Sequence, residues 1–169
     1  MSPWGENRVL RENIEGYYDE LSASYDKSHT HGYFESINAF ELSVLDKGIS
    51  KKAVLEVGCG TGLVLVRVAK KASAAFGIDL SFEMLRISKK RGLDVAKADA
   101  LRLPFKDNSF DAVYSVKVLP HIPKLEGVLE EMSRVTKKDG LIFFELYNSH
   151  SAKNLVKKGF PTKTFTRYY

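Results

Sequence analysis

The chain has 169 residues, 44% of them hydrophobic and 28% charged, and carries a net charge of +5. That length and apolar content suffice for one domain with its own core, and no internal repeat or low-complexity tract interrupts it. A single cysteine excludes an internal disulfide framework and fits a reducing cytoplasm, and no apolar run approaches the length of a membrane span.

The opening "MSPWGENRVL" lacks the apolar core of a signal peptide. Helices are predicted over residues 6–21 and 33–47, the second with Phe34, Ile37, Phe40, Val44 and Leu45 along one side. Between them "YYDELSASYDKSHTHGY" is rich in tyrosine and histidine but poor in aliphatics, and is expected to form a lid. Its His29 and His31 make an H-x-H pair, too few ligands for a metal, so no metal site is expected.

From residue 52 the hydrophobic period keeps switching. Residues 53–57 read as a buried strand, 63–71 as a helix, and 74–78 as a second strand ending at Asp79. Residues 81–90 follow as a helix with Ser81 as its N-cap and Met84, Leu85 and Ile87 on its apolar side. Residues 93–98 make a third strand before Asp99, and residues 110–116 a fourth after the loop "LRLPFKDN". An amphipathic helix over 125–136 leads into a fifth strand, "GLIFFELYN".

Strands alternating with helices predict an α/β fold, a Rossmann-like and mainly parallel sheet with helices on both faces. Residues 1–50 would be a helical lid on a domain formed by 51–169, one structural unit overall. Ligands of such sheets sit beyond the strands' carboxyl ends, at the switch point. The glycines at 58–62, Asp79, Asp99 and residues 115–117 all fall there, so they should line one crevice.

The positive charge has a structural explanation. Lys89-Lys90-Arg91-Gly92, Lys137-Lys138-Asp139-Gly140 and Lys157-Lys158-Gly159 each look like a helix's last turn followed by a glycine cap. RNA binding stays open as an alternative. Absent glutamine with abundant lysine and glutamate is compatible with a thermophilic source.

Three ligands compete for the loop Gly58-Cys59-Gly60-Thr61-Gly62. A phosphate-gripping loop needs Lys and Ser or Thr after its last glycine, but Leu63 and Val64 stand there. A dinucleotide fingerprint needs its third glycine where Leu63 lies, which argues against a nucleotide-dependent oxidoreductase. An adenine nucleoside without a phosphate remains, its ribose held by an acid at the end of strand two.

"VLEVGCGTG", "GIDLS", "KADALRLPF" and "FDAVYSVKVLPHIP" closely resemble the class I S-adenosylmethionine-dependent methyltransferases, most of all the small-molecule and quinone-biosynthesis type, the methyltransferase type 11 group. The similarity runs from Val54 to Leu146, and "YYDELSASYD" resembles the segment preceding the first strand in that group. The resemblance implies that Gly58, Gly60 and Gly62 cradle the methionine and ribose, with Cys59 a small residue in the turn and Glu56 just below. It implies that Asp79 accepts from both ribose hydroxyls, that Leu80 and Met84 pack on the adenine, and that Asp99 takes the adenine amino group near the Ala100 backbone. Val116 and Lys117 would lie along the methionine tail, and Tyr17 or Tyr25 would close over the cofactor.

The expected reaction is in-line methyl transfer to a small-molecule acceptor, leaving S-adenosylhomocysteine. His121, just after strand four, is the candidate to touch the acceptor; the plainer alternative is a loop histidine capping the next helix. The family's sheet has seven strands, the last two a hairpin beside strand five. The residues after Tyr147 are too few for a helix and that hairpin, so a truncated or short form is expected. Residues 162–168 or a second subunit, as in a homodimer, would then cover the strand-five edge. The other readings are an RNA (tRNA) methyltransferase and a cofactor-binding module without catalysis of its own.

Overall fold

Short runs of β-branched and small apolar residues assemble one parallel sheet. Its strands are β1 (Ala53–Val57), β2 (Ala74–Asp79), β3 (Asp94–Lys97), β4 (Phe110–Ser115) and β5 (Thr136–Phe144). They lie in the order β3-β2-β1-β4-β5, every pairing parallel. The computed structural model describes residues 8–30 and 32–146. The helices are α1 (Arg8–His29), α2 (Tyr33–Ile49), α3 (Leu65–Val68), α4 (Phe82–Lys90) and α5 (Leu125–Val135). This is the expected Rossmann-like α/β architecture, with its switch point between the carboxyl ends of β1 and β4.

The pleat distributes the core. Leu55 and Val57 point to one face, where they meet Ile78, Val113 and the inward stripe Val128, Met132 and Val135 of α5. Val54, Ala112 and Tyr114 point to the other, against Leu45 and Ile49 of α2 and Val64 and Val68 beside and in α3. Each such fully buried side chain contributes roughly 1.5–3 kcal/mol. The two faces together fix the sheet between its helices. Among the described residues, no helix is long and apolar enough to cross a membrane, and no group of side chains could hold a metal.

Four local expectations need correction. First, α1 does not stop at residue 21 but runs on to His29, through the stretch expected to form a lid. Its hydroxyls turn back onto carbonyls one turn earlier: Ser22 Oγ donates to Asp19 O at 2.8 Å and Ser28 Oγ to Tyr25 O at 2.9 Å. Second, α3 is a single turn, because the bonds around it contract to three-residue spacing, as from Arg67 N to Val64 O and Lys71 N to Val68 O.

Third, α2 does not bury Phe40 and Val44, which are 69% and 39% exposed. The face turned inward carries Asn38, Leu45, Gly48 and Ile49. Gly48 makes that approach close, since a Cβ there would stand 2.8 Å from Leu141 Cδ1 and Phe143 Cζ. Fourth, Lys137 and Lys138 lie in β5, not in a helix's last turn. Thr136 starts the strand directly, its Oγ1 donating to Met132 O at 2.6 Å. Gly140 serves the register shift opposite 110–112, where a Cβ would meet Asp111 O at 3.0 Å. The cluster at 157–159, and any element covering β5 from 162–168, lie outside the described residues.

Candidate functional site

The chain leaves β1 through three glycines in the left-handed region, with φ of 79°, 53° and 81° at Gly58, Gly60 and Gly62. Their bareness has different causes. A Cβ on Gly58 would stand 2.3 Å from Val118 Cγ2, and one on Gly62 would stand 2.4 Å from Leu93 Cδ1 and 2.8 Å from Ser88 Oγ. Both are squeezed by the protein itself. Around the Cβ direction of Gly60 nothing lies within 4 Å among the described residues. Gly60 is the glycine that offers backbone to a visitor. Cys59 is buried beneath the loop with Leu65 and Leu85, and burial pushes its thiol far up. It is a small packing residue.

Asp79, at the end of β2, is locked onto this loop. Its Oδ2 accepts from Gly60 N at 2.8 Å and its Oδ1 from Ser81 N at 2.9 Å. Burial nevertheless raises its carboxyl above the usual range, against the pull of those N–H groups. Ser88 Oγ holds the other side of Gly60, donating to its carbonyl at 2.8 Å. Under the loop Glu56 is 3% exposed and takes the Tyr114 hydroxyl on Oε2 at 3.1 Å. Burial pushes Glu56 up to about 8 and the charge of Asp79 adds to the rise, so it holds a proton at neutral pH.

One strand further out, Ala98 N donates to Asp79 O at 3.0 Å, which sets Asp99 beside the same crevice. Asp99 Oδ1 accepts from Leu101 N at 3.0 Å, and Arg11 Nε lies 3.5 Å from its Oδ2. Leu80 and Ala100 are half-buried along this edge, and Met84 is 1% exposed behind it.

α1 crosses this half of the crevice as a polar clasp. Glu15 pairs with Lys97. Asp19 Oδ1 accepts from Ser81 Oγ at 2.5 Å and Glu83 N at 3.2 Å, a carboxylate at the positive end of α4. Asp26 accepts from Thr61 Oγ1 at 2.6 Å and pairs with Arg91, which also donates to Thr61 O. Tyr18 meets His121 edge-on at 6.2 Å between ring centroids, while Tyr25 stacks on His29 at 3.9 Å and Tyr17 is 43% exposed. Asp19, Asp26 and Ser88 escaped the sequence reading. The available signal was the pair of acids seven residues apart in "YYDELSASYD", a spacing that puts both on one helix face.

The other half lies over β4 and β5. Ser115 Oγ donates to Val57 O at 2.9 Å, tying the two strand ends together. Val116 follows, and then Lys117 with φ of 62°. Lys117 N donates to Glu145 Oε2 at 3.0 Å, and its Nζ reaches Asn38 Oδ1 at 2.6 Å and Glu41 Oε2 at 2.8 Å on α2. Burial raises the Glu41 carboxyl, partly offset by Lys117. His121 closes the one-turn 3₁₀ segment Leu119–His121, a few residues past the end of β4.

The sequence pattern of the methyltransferase domain matches residues 55–144. An uncharacterized protein of Methanocaldococcus jannaschii is 37% identical over 146 residues, 85% of this chain and 55% of that protein. The demethylmenaquinone methyltransferase of Staphylococcus aureus is 31% identical over 147 residues, 81% of this chain and 61% of that enzyme. The solved structure of DhpI with S-adenosylhomocysteine is 26% identical, with a TM-score of 0.70 over 79% of this chain and 68% of that one. The chain thus spans less than two thirds of these curated relatives.

Proposed function

The chain belongs to the methyltransferase domain family, and on that premise we propose that it binds S-adenosylmethionine over the loop at 58–62 and methylates a small-molecule acceptor. The observation that carries this reading is the union of Asp79 and Gly60, a half-buried carboxylate bonded to the one loop glycine whose Cβ direction is open. A Cβ at 60 would fill that space, so the residues present fit a nucleoside brought against bare backbone.

In this assignment Asp79 holds the ribose, with Gly58, Gly60 and Gly62 shaping the floor and Cys59 and Glu56 beneath it. Leu80, Met84, Asp99 and Ala100 would receive the adenine, Val116 and Lys117 the methionine tail, and Tyr17 or Tyr25 the open side. The sulfonium supplies an already activated methyl, so the chain's part is to align an acceptor and exclude water. α1 excludes water on the nucleoside side. His121, edge-on to Tyr18, would be the residue that touches the acceptor.

Two further readings stand beside it. The net charge of +5 favours an RNA acceptor, although Lys52, Lys137 and Lys138 share their depression with Asp111 and Asp139. The other is a cofactor-binding module without catalysis of its own. We also place the protein in the cytoplasm of a thermophile, with a second copy covering the β5 edge, where Leu141, Ile142 and Phe144 are 37%, 36% and 47% exposed. Methyl-tritiated S-adenosylmethionine, incubated with the protein and either a small-molecule extract or bulk tRNA, separates the three. Label in the extract supports the proposal, label in salt-sensitive tRNA complexes favours RNA, and cofactor binding without transfer favours the module.

A further inference from the structure

A second polar site occupies the half of the crevice that the nucleoside does not use. Strand order puts Asp79 and Gly60 at the ends of β2 and β1, and puts Lys117 and Glu145 just past the ends of β4 and β5. Neighbouring strands lie about 4.8 Å apart, so the midpoints of the two groups stand roughly 10 Å apart across the switch point, with β1 and β4 side by side between them. Above the β4–β5 half, α2 contributes Asn38 and Glu41. Lys117 Nζ is engaged by Asn38 Oδ1 and Glu41 Oε2, and Asn38 Nδ2 is spent on His29 O at 3.0 Å.

One atom in this cluster has no partner. The Glu41 side chain is 10% exposed, and no donor reaches its Oε1 among the described residues. A buried carboxylate oxygen without a donor is costly, and more so when charged. Such an atom persists in a ligand crevice when a ligand supplies the donor. Glu41 accepts from the Lys117 ammonium and Glu145 from the Lys117 backbone N–H, so two carboxylates stand beside one ammonium and the local balance favours a positive guest.

We propose that Glu41, braced by Lys117 and Asn38, is an ammonium-recognising residue of the acceptor site, its Oε1 accepting an N–H from an amine-bearing small molecule. This rests on the methyltransferase reading, which puts the cofactor's nucleoside on the other half of the crevice and its methionine tail along Val116 and Lys117. The test titrates propylammonium, propionate and propanol into the protein saturated with S-adenosylhomocysteine, and into the free protein, followed by NMR shifts. Wild type should take propylammonium at least tenfold more tightly than propanol and should not take propionate. Glu41→Gln, checked for folding by its melting curve, should lose that preference while keeping its affinity for S-adenosylhomocysteine.

Equal binding of propylammonium and propanol to wild type overturns the proposal without recourse to any variant. So does a Glu41→Gln protein that keeps the preference. A variant that loses S-adenosylhomocysteine instead would assign Glu41 to the cofactor's own ammonium and also overturn it. Failure of wild type to bind S-adenosylhomocysteine overturns the underlying reading, and is seen separately in the free-protein arm.

Discussion

Replacing Glu56 by glutamine should change how stability depends on pH. Glu56 is 3% exposed, and burial pushes its carboxyl from 4.5 to about 8, with the Tyr114 hydroxyl opposing the rise and Asp79 adding to it. Between those limits the folded chain keeps a proton that the unfolded chain has released. The folded state therefore binds more protons, and this group's contribution is complete below about pH 4.5 and lost as pH climbs through about 8. Each pH unit within the interval removes about 1.4 kcal/mol, so roughly 4 kcal/mol separate pH 5 from pH 8. Glutamine keeps the size and neutrality of the protonated acid but cannot ionise. Asp79 and Glu41, also raised by burial, are present in both proteins and largely cancel. Urea unfolding followed by circular dichroism should show Glu56→Gln gaining on wild type by that amount across the range. Parallel curves would mean that Glu56 is ionised when folded, and the reasoning from burial would fail.

The glycines should separate by function. Gly62→Ala places a Cβ 2.4 Å from Leu93 Cδ1 at positive φ, and should cost about 2–4 kcal/mol in denaturant unfolding from overpacking and backbone strain. Gly60→Ala meets open space, so it should lose only about 1–2 kcal/mol of stability while sharply weakening S-adenosylhomocysteine binding in calorimetry; equal binding in both variants would contradict the division. Asp26→Asn breaks the α1 clasp at Thr61 and Arg91. Since that pair is partly exposed, stability should fall by less than about 1 kcal/mol, yet α1 amides should exchange with deuterium faster. Unchanged exchange would show that the clasp does not hold the helix.

Much of the sheet was legible because β1, β2 and β5 carry short apolar runs that stop at Gly58, Asp79 and Glu145, and such runs reveal themselves locally. Ser81 as the cap of α4 and the stripe on α5 were legible for the same reason. Contacts made at long range were not. Asp19 and Asp26 look like ordinary solvated acids on a helix, and only docking across α4 gives them partners. Phe40 and Val44 suggested the buried face of α2, but the partner surface is a crevice wall that takes Asn38 and Glu41. Lys137 and Lys138 fitted a helix end until β5 proved to start at Thr136, with no loop between it and α5. The three glycines were equivalent as letters, and only the neighbours Val118, Leu93 and Ser88 distinguish them.

The most direct test of the central claim is calorimetric titration of S-adenosylmethionine and S-adenosylhomocysteine, with NAD as control, into wild type and Asp79→Ala. Micromolar binding of both sulfur nucleosides, no binding of NAD, and loss of at least about two orders of magnitude in a folded Asp79→Ala protein are the predicted results; such a loss, about 2.8 kcal/mol, sits at the upper end of the roughly 1.5–3 kcal/mol of a single charged hydrogen bond because the carboxylate also positions Gly60. Wild type that ignores both nucleosides, or an Asp79→Ala protein that binds them as tightly as wild type, would contradict it.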